Sequence, residues 1–279
     1  ACGHVSPMKN AAGEKLPPGV IEVAAPHPLE ISGVAAVPGG FAVVGDEENR
    51  HGRIWPTGER FAFPSRLRGP ESIAVGFGPS GEQLWLVLGE QNRRLIDFDG
   101  GSYVFGPAFA EDAGRGLEGL AVRWRDGVWQ VAVSLEGGYY DWKSSRAGEL
   151  AKPKVALLRW RRGEGCEDIS EPIVLDVPKP SAKQRFRAPD LAWVGDELLV
   201  LLTSTDKKRK KKTHTWLQRF DLKGKPRGEP LKLEKAWGPY HDDKNWEGLD
   251  WSLSGTQLVI AHDQKDPDTH RALSVFPYG

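Results

Sequence analysis

Leu117-Glu118-Gly119-Leu120-Ala121, followed after a turn by an apolar strand that ends at Leu135-Glu136, is one of five near-copies of the same phrase in this chain. The others run from Ile31-Ser32-Gly33-Val34-Ala35 to Gly45-Asp46-Glu47, and from Glu71-Ser72-Ile73-Ala74 to Gly89-Glu90. Two more run from Ala188-Pro189-Asp190-Leu191-Ala192 to Thr205-Asp206, and from Trp246-Glu247-Gly248-Leu249-Asp250 to His262-Asp263. A strand-bearing repeat longer than about 35 residues is the mark of a β-propeller. The fold class predicted is therefore all-β, a propeller of five four-stranded blades. A propeller gathers equivalent positions of every blade around one axis, so an acid that recurs in each copy becomes a ring.

Residues 1–18 lack periodicity and read as a tail, and residues 19–279 read as a single propeller domain. The last repeat is one strand short, and Gly19–Ala24 is one strand too many. Pairing that segment with a strand predicted at Leu273–Phe276 closes the ring and hides two sheet edges. The third repeat is predicted to end in a strand at Ile173–Val177, after a long excursion from Glu136 to Pro153. Six blades is the alternative, if the stretch between Leu120 and Pro189 holds another. The one nominal dinucleotide-binding match, Gly76-Phe77-Gly78-Pro79-Ser80-Gly81, lies between two strands with no helix after it and reads as a hairpin turn.

With 11 Trp and 10 Phe the chain can pack its blades against one another. Formal net charge is zero, so no global field draws it to nucleic acid or to a membrane. No apolar run approaches the roughly 20 residues of a membrane span. Two cysteines, Cys2 and Cys166, make no disulfide scaffold and no zinc pattern. Ala1-Cys2-Gly3 resembles the end of a bacterial lipoprotein signal, with a cloning remnant or an arbitrary truncation as the alternative. On the first reading the protein is exported, periplasmic or membrane-anchored through a lipid on Cys2, with the following Pro- and Gly-containing segment as a tether. A monomer is expected.

Strands of an up-and-down blade alternate in direction. The start of the first strand, the end of the second and the start of the third therefore share one face. That face collects Glu71, Glu118, Asp190 and Glu247 from first strands, and Asp46, Glu47, Glu90, Glu136, Asp206 and Asp263 from second strands. Carboxylates crowded near an axis repel, so either some stay protonated or a cation neutralises them. Hard oxygen ligands in a flexible ring suit Ca²⁺, with Mg²⁺ or Mn²⁺ as alternatives. Glu71, Glu118, Glu247, Asp190 and Asp263 are the metal-ligand candidates. The competing reading is that each acid caps its own turn or pairs with a neighbouring cation. Ser32 and Pro189 interrupt the column, and Asp190 lies one residue out of register.

The same face carries cations. Arg50, Arg93, Arg94 and Lys143 are candidates to hold a small anionic, phosphorylated ligand, since Arg forks and Lys charges both match phosphate oxygens. His51 and His241 are candidates for proton transfer. Arg187 approaches Asp190. The run Lys207–Lys212 reads as a solvated loop or as part of the anion site; a nucleic-acid patch lacks the net charge and the stacking motifs.

The phrases Ile31-Ser32-Gly33-Val34-Ala35, Leu117-Glu118-Gly119-Leu120-Ala121 and Asn245-Trp246-Glu247-Gly248-Leu249-Asp250 resemble the phytase-like β-propeller family. In that family a late apolar strand ends in Ser-Asp-Asn; here it ends His262-Asp263-Gln264, so only the Asp matches. The resemblance spans roughly residues 29–276 and implies a Ca²⁺-associated, often exported bacterial propeller with phosphoester hydrolysis as its chemistry. It maps the motif acids onto Glu71, Glu118, Glu247 and Asp263. Two functions follow as expectations. One is a metal-dependent phosphoester hydrolase. The other is a non-catalytic module that binds a ligand or partner, with at most a structural metal. Neither a GxSxG elbow nor HExxH occurs to support a serine esterase or a zincin.

Overall fold

A computed structural model describes residues 21–23, 31–45, 50–106, 116–135, 152–177, 184–206, 213–233, 245–263 and 273–278. They form five antiparallel sheets arranged as a five-bladed β-propeller. β1 (Ile21–Val23) precedes the first blade. Blade one is β2 (Ile31–Val37), β3 (Gly40–Gly45), β4 (His51–Trp55) and β5 (Glu59–Ala62). Blade two is β6 (Pro70–Phe77), β7 (Gln83–Gly89), β8 (Arg94–Asp97) and β9 (Ser102–Val104). Blade three is β10 (Leu117–Arg125), β11 (Val128–Leu135), β12 (Lys154–Arg161), β13 (Gly165–Ile169) and β14 (Ile173–Val174). Blade four is β15 (Gln184–Val194), β16 (Glu197–Asp206), β17 (Thr213–Phe220) and β18 (Pro226–Lys232). Blade five is β19 (Asn245–Trp251), β20 (Gln257–Asp263) and β21 (Leu273–Pro277), completed by β1.

The seam is where the strand count requires it. β1 pairs antiparallel with β21, Ile21 opposite Val275 and Val23 opposite Leu273. The first strands β2, β6, β10, β15 and β19 touch in that order, and β19 returns to β2. Burial falls from the axis outward. Every residue of β2 is buried, whereas every residue of β18 is exposed. A first strand is apolar on both faces because each face meets a neighbouring blade. The rim strand β18 carries Pro226, Pro230, Arg227 and Lys232, which blunt an open edge. The Gly-rich stretch after β6 is a hairpin turn: the N–H of Gly78 donates to Glu82 O at 2.8 Å, and Gly81 takes φ +85°.

Blade three departs from the expectation. Its fourth position is split into β13 and β14, both paired with β12. Pro172 lacks the N–H a continuous strand needs. Just before it, Ser170 bonds Leu157 twice, backbone N–H to carbonyl at 2.8 Å and side-chain Oγ accepting the Leu157 N–H at 3.1 Å. The strands β10 to β14 thus belong to one sheet, and no sixth blade forms among the described residues.

Blades two and three are clipped at the opposite face by Asp97, which is fully buried. Its Oδ1 accepts the N–H groups of Asp99 and Gly101, and its Oδ2 accepts Trp160 Nε1–H and the Gly163 N–H, both at 2.8 Å. No helix among the described residues is long and apolar enough to cross a membrane.

Candidate functional site

All five first strands slip register at the same point. The shifts fall between Ile31 and Gly33, Pro70 and Ser72, Leu117 and Leu120, Arg187 and Asp190, and Trp246 and Gly248. The residues passed over include Ser32, Glu71, Glu118 and Glu247. The recurring acid is thus a β-bulge residue, left out of the ladder and free to be re-aimed. Glycine follows it for a steric reason. A Cβ on Gly119 would lie 2.4 Å from Asp190 Cα, and one on Gly33 would lie 2.6 Å from Ser72 Cα. Only a residue without Cβ lets neighbouring inner strands approach so closely.

Counting from the bulges puts Asp190 in the column of Gly33, Ser72, Gly119 and Gly248. Three glycines and a serine leave room for one carboxyl. Asp190 fills it, with none of its surface exposed. Its Oδ1 accepts the N–H of Leu120 and of Leu191, both at 2.9 Å, and its Oδ2 accepts the N–H of Leu249 at 2.7 Å. Ser72 Oγ lies 3.5 Å away. These N–H groups sit on the channel edge of their sheets, where no ladder partner exists, and a buried donor needs an acceptor. One side chain therefore ties blades three, four and five together. Burial drives this carboxyl well above the usual range; the N–H donors of Leu249, Leu191 and Leu120 pull it back, and the charge of Asp250 adds to the rise.

Asp250 repeats the device two residues along. It occupies the column of Ala35, Ala74, Ala121 and Ala192. Its Oδ2 accepts the Ala36 N–H and its Oδ1 the Trp251 N–H, each at 2.7 Å, which joins blade five to blade one. Burial pushes its pKa up to about 7, against the pull of those two donors. Nearby, Ser134 Oγ accepts the Gly119 N–H at 2.7 Å and donates to Ala188 O at 2.8 Å.

The other candidates divide by place. Glu118 is buried and lies 3.4 Å from Arg187. Glu71 and Glu247 are half-buried at the equivalent bulges. His51 opens β4, half-buried and opposite Ala62. Arg50, exposed, precedes it, and Arg94 opens β8; neither forms an ion pair with a described residue. Arg93 takes φ 49°, a left-handed conformation uncommon outside glycine. Asp263 lies opposite Asn245 at the end of β20, and its side chain is outside the described set. His241, Lys143, Cys2 and the run Lys207–Lys212 lie outside the described residues. Cys166 forms no disulfide among the described residues; its thiol is pushed up to about 11 by burial.

A Ca²⁺ ion takes about six to eight oxygen ligands. Among the described residues no three His, Cys, Asp or Glu side chains gather as a metal-holding group. Both Asp190 oxygens already accept backbone N–H groups, and Glu118 has a guanidinium beside it. The described side chains therefore do not fit a calcium ring. Sequence reasoning gave Asp250 no role, although an Asp where four copies have Ala was a visible signal.

The fold and this axis define a five-bladed β-propeller. No protein-family profile matches the chain, and no curated protein matches it. Solved structures that are similar to it are β-propellers. One is a mannose phosphorylase from Leishmania mexicana, at 11% identity and TM-score 0.48, covering 95% of this chain and 89% of that one. Another is the virginiamycin B lyase of Staphylococcus aureus, at 8% identity and TM-score 0.42, covering 95% and 99%. A third is the hydrazine synthase of Kuenenia stuttgartiensis, at 12% identity and TM-score 0.45, where 88% of this chain spans 59% of that one.

Proposed function

We propose that this chain is a non-catalytic binding propeller that takes a small anionic, phosphorylated ligand at the face where its first strands begin. One observation carries the reading: Glu118 and Asp190 are compensated there, while Arg50 and Arg94 form no ion pair with a described residue. Glu118 has Arg187, and Asp190 has three backbone donors. Arg50 precedes the third strand of blade one and Arg94 opens that of blade two, each without an ion pair to a described residue. A guanidinium fork matches two phosphate oxygens at once. Calorimetry with inorganic phosphate and a panel of phosphorylated small molecules tests it. Arg50→Ala and Arg94→Ala should each weaken binding by about tenfold or more, since hydrogen bonds to charged groups are worth roughly 1.5–3 kcal/mol. No phosphate should be released with or without Ca²⁺.

The second reading is a Ca²⁺-dependent phosphoester hydrolase of the phytase-like kind. What favours it is the placing of Glu71, Glu118 and Glu247 at equivalent bulges. It requires that Ca²⁺ raise the melting temperature by mass action, and that Glu118→Gln remove a Ca²⁺-dependent phosphate release present in the wild type. Calcium that changes neither stability nor turnover leaves the binding module.

A further inference from the structure

Between blades three and four lies a cleft of about 710 Å³, bounded by described residues only. Its size falls within the roughly 300–1,000 Å³ of small-molecule sites. It exists because the outer strand of blade three is broken at Pro172. The two short pieces β13 and β14 cover only part of the facing sheet of blade four. Behind the break, Leu175 and Val177 tuck into the core, and the aromatic face of blade four is left open on one side.

The wall of the cleft is apolar. Phe186 and Trp216 lie with ring centroids 5.6 Å apart and planes tilted by 34°, a nearly continuous platform. Buried Leu202 and Phe220 extend it inward. The rim is polar and carries both signs of charge. Lys152 and Lys225 share Asp176, at 2.8 and 3.3 Å. Glu229 and Lys232 are exposed, and neither makes an ion pair with a described residue. Gln218 spends its amide nitrogen on the carbonyls of Arg219, Arg227 and Gly228, so its Oε1 is the atom left to offer a ligand.

The chemistry of the rim selects the ligand. An ammonium donates only, and a carboxylate accepts only. This rim offers a donor in Lys232 and acceptors in Glu229 and Gln218, so both halves of a hydrogen bond meet at it. A group that both donates and accepts at several points, and that carries an apolar C–H face for the rings, matches both halves. We propose that the cleft binds a neutral, polyhydroxylated saccharide ring, stacked on Trp216 and Phe186 with its hydroxyls held by Lys232, Glu229 and Gln218. This proposal does not rest on the phosphate reading, since neither Arg50 nor Arg94 lines the cleft.

Titration of the full chain with glucose, galactose, N-acetylglucosamine and their disaccharides, followed by calorimetry and tryptophan fluorescence, tests the proposal. Benzoate serves as the planar-anion probe. At least one saccharide should bind at millimolar concentration or better. Trp216→Ala should weaken it by about tenfold or more, as loss of a well-placed aromatic contact does. Trp216→Phe should keep most of the affinity, and Lys232→Ala should weaken it by a smaller factor. Phosphate binding should be unchanged in all three variants, and their thermal transitions show that they fold. The proposal is overturned if no saccharide binds, if benzoate alone binds, or if saccharide binding survives Trp216→Ala intact.

Discussion

Where blade one meets blade two, the outer strand of the earlier blade supplies Phe61 and Phe63. Phe61 stands edge-on to Trp85 at 5.6 Å and lies 5.9 Å from Phe98, while Phe63 meets Phe98 at 6.5 Å. Where blade three meets blade four, the same part of the repeat supplies Leu175 and Val177, and the receiving rings Phe186 and Trp216 face a cleft instead. The two interfaces share a plan and differ in whether the outer strand is continuous. β5 runs unbroken beside β4, with the Phe61 ring over Gly52, where a Cβ would come within 2.3 Å of it. The outer strand of blade three is cut by a proline. Close packing is thus not imposed by the propeller itself; each interface gets it from a particular strand. Where it is missing, aromatic residues are left lining a gap.

Both interfaces hang from the same axis, so the axis sets the scale. Asp190→Ala strands the inward N–H groups of Leu120, Leu191 and Leu249 in a site that water cannot readily reach. Each such orphan costs about 1–3 kcal/mol, so the loss should be roughly 3–9 kcal/mol. Urea midpoints measure it. A loss confined to blades three to five in hydrogen exchange, with blades one and two untouched, would show that the ring does not unfold as one unit.

The flanks come next, and they should separate. Phe61→Ala removes a ring with aromatic partners on several sides and should cost about 3 kcal/mol. Trp216→Ala removes a larger ring that already faces a gap, and should cost about 1–2 kcal/mol because fewer contacts are lost. Equal costs in a denaturant series would mean that the cleft is collapsed in solution and that the contrast between the interfaces is not real.

Much of this was legible in the sequence, and the reason is the repeat. Five copies of one phrase predicted the blade count. A spare strand near Gly19–Ala24 predicted the closure that β1 and β21 make. The site was less legible, because the phrase shows the recurring acid and not that the acid stands at a bulge. The bulge explains both the acid and the glycine after it, but register slips are a property of paired strands and leave no mark on one. Asp190 looked out of register for that reason, since it belongs to the glycine column. The strand predicted after Pro172, Ile173–Val177, starts where β14 starts and is longer than it, while β13 before the proline lies in a stretch whose Gly163 and Gly165 read as a turn.

A third test asks whether the difference between the flanks is independent of the axis. Asp250 has a folded pKa of about 7, above the roughly 3.9 of an unfolded aspartate. Folding therefore favours its protonated form. That contribution is complete below about pH 4 and is lost as pH rises through 7. Asp190 acts in the same direction. Asp250→Asn keeps an acceptor for one of the two N–H groups, Ala36 or Trp251, and removes the titration. The wild type should lose stability relative to Asp250→Asn between pH 4 and 8. The same slope should appear in the Phe61→Ala and Trp216→Ala backgrounds, since distant sites add. A slope that differs between those backgrounds would couple axis and flank.

The smallest effect is the most direct test of the comparison, because it tries to turn one interface into the other. Val177 lines the cleft from the blade-three side and is nearly fully buried. Val177→Phe extends a ring toward Phe186 and Trp216, as Phe61 extends toward Trp85 and Phe98 at the closed interface. Each further 30 Å² or so of apolar surface withdrawn from water adds about 0.8 kcal/mol, and strain in fitting the ring subtracts from it. The net gain should be small, about 0.5–1 kcal/mol, read as a rise in the urea midpoint at unchanged m-value. The same variant should lose saccharide binding and keep phosphate binding. A variant that is destabilised by about 1–3 kcal/mol, the usual cost of overpacking, would mean that the space beside Val177 is already filled and that the cleft is narrower than its lining suggests. A variant that gains stability and still binds the saccharide would put the ligand outside the cleft. Only the combination of a modest gain and a lost ligand makes the open interface the counterpart of the closed one.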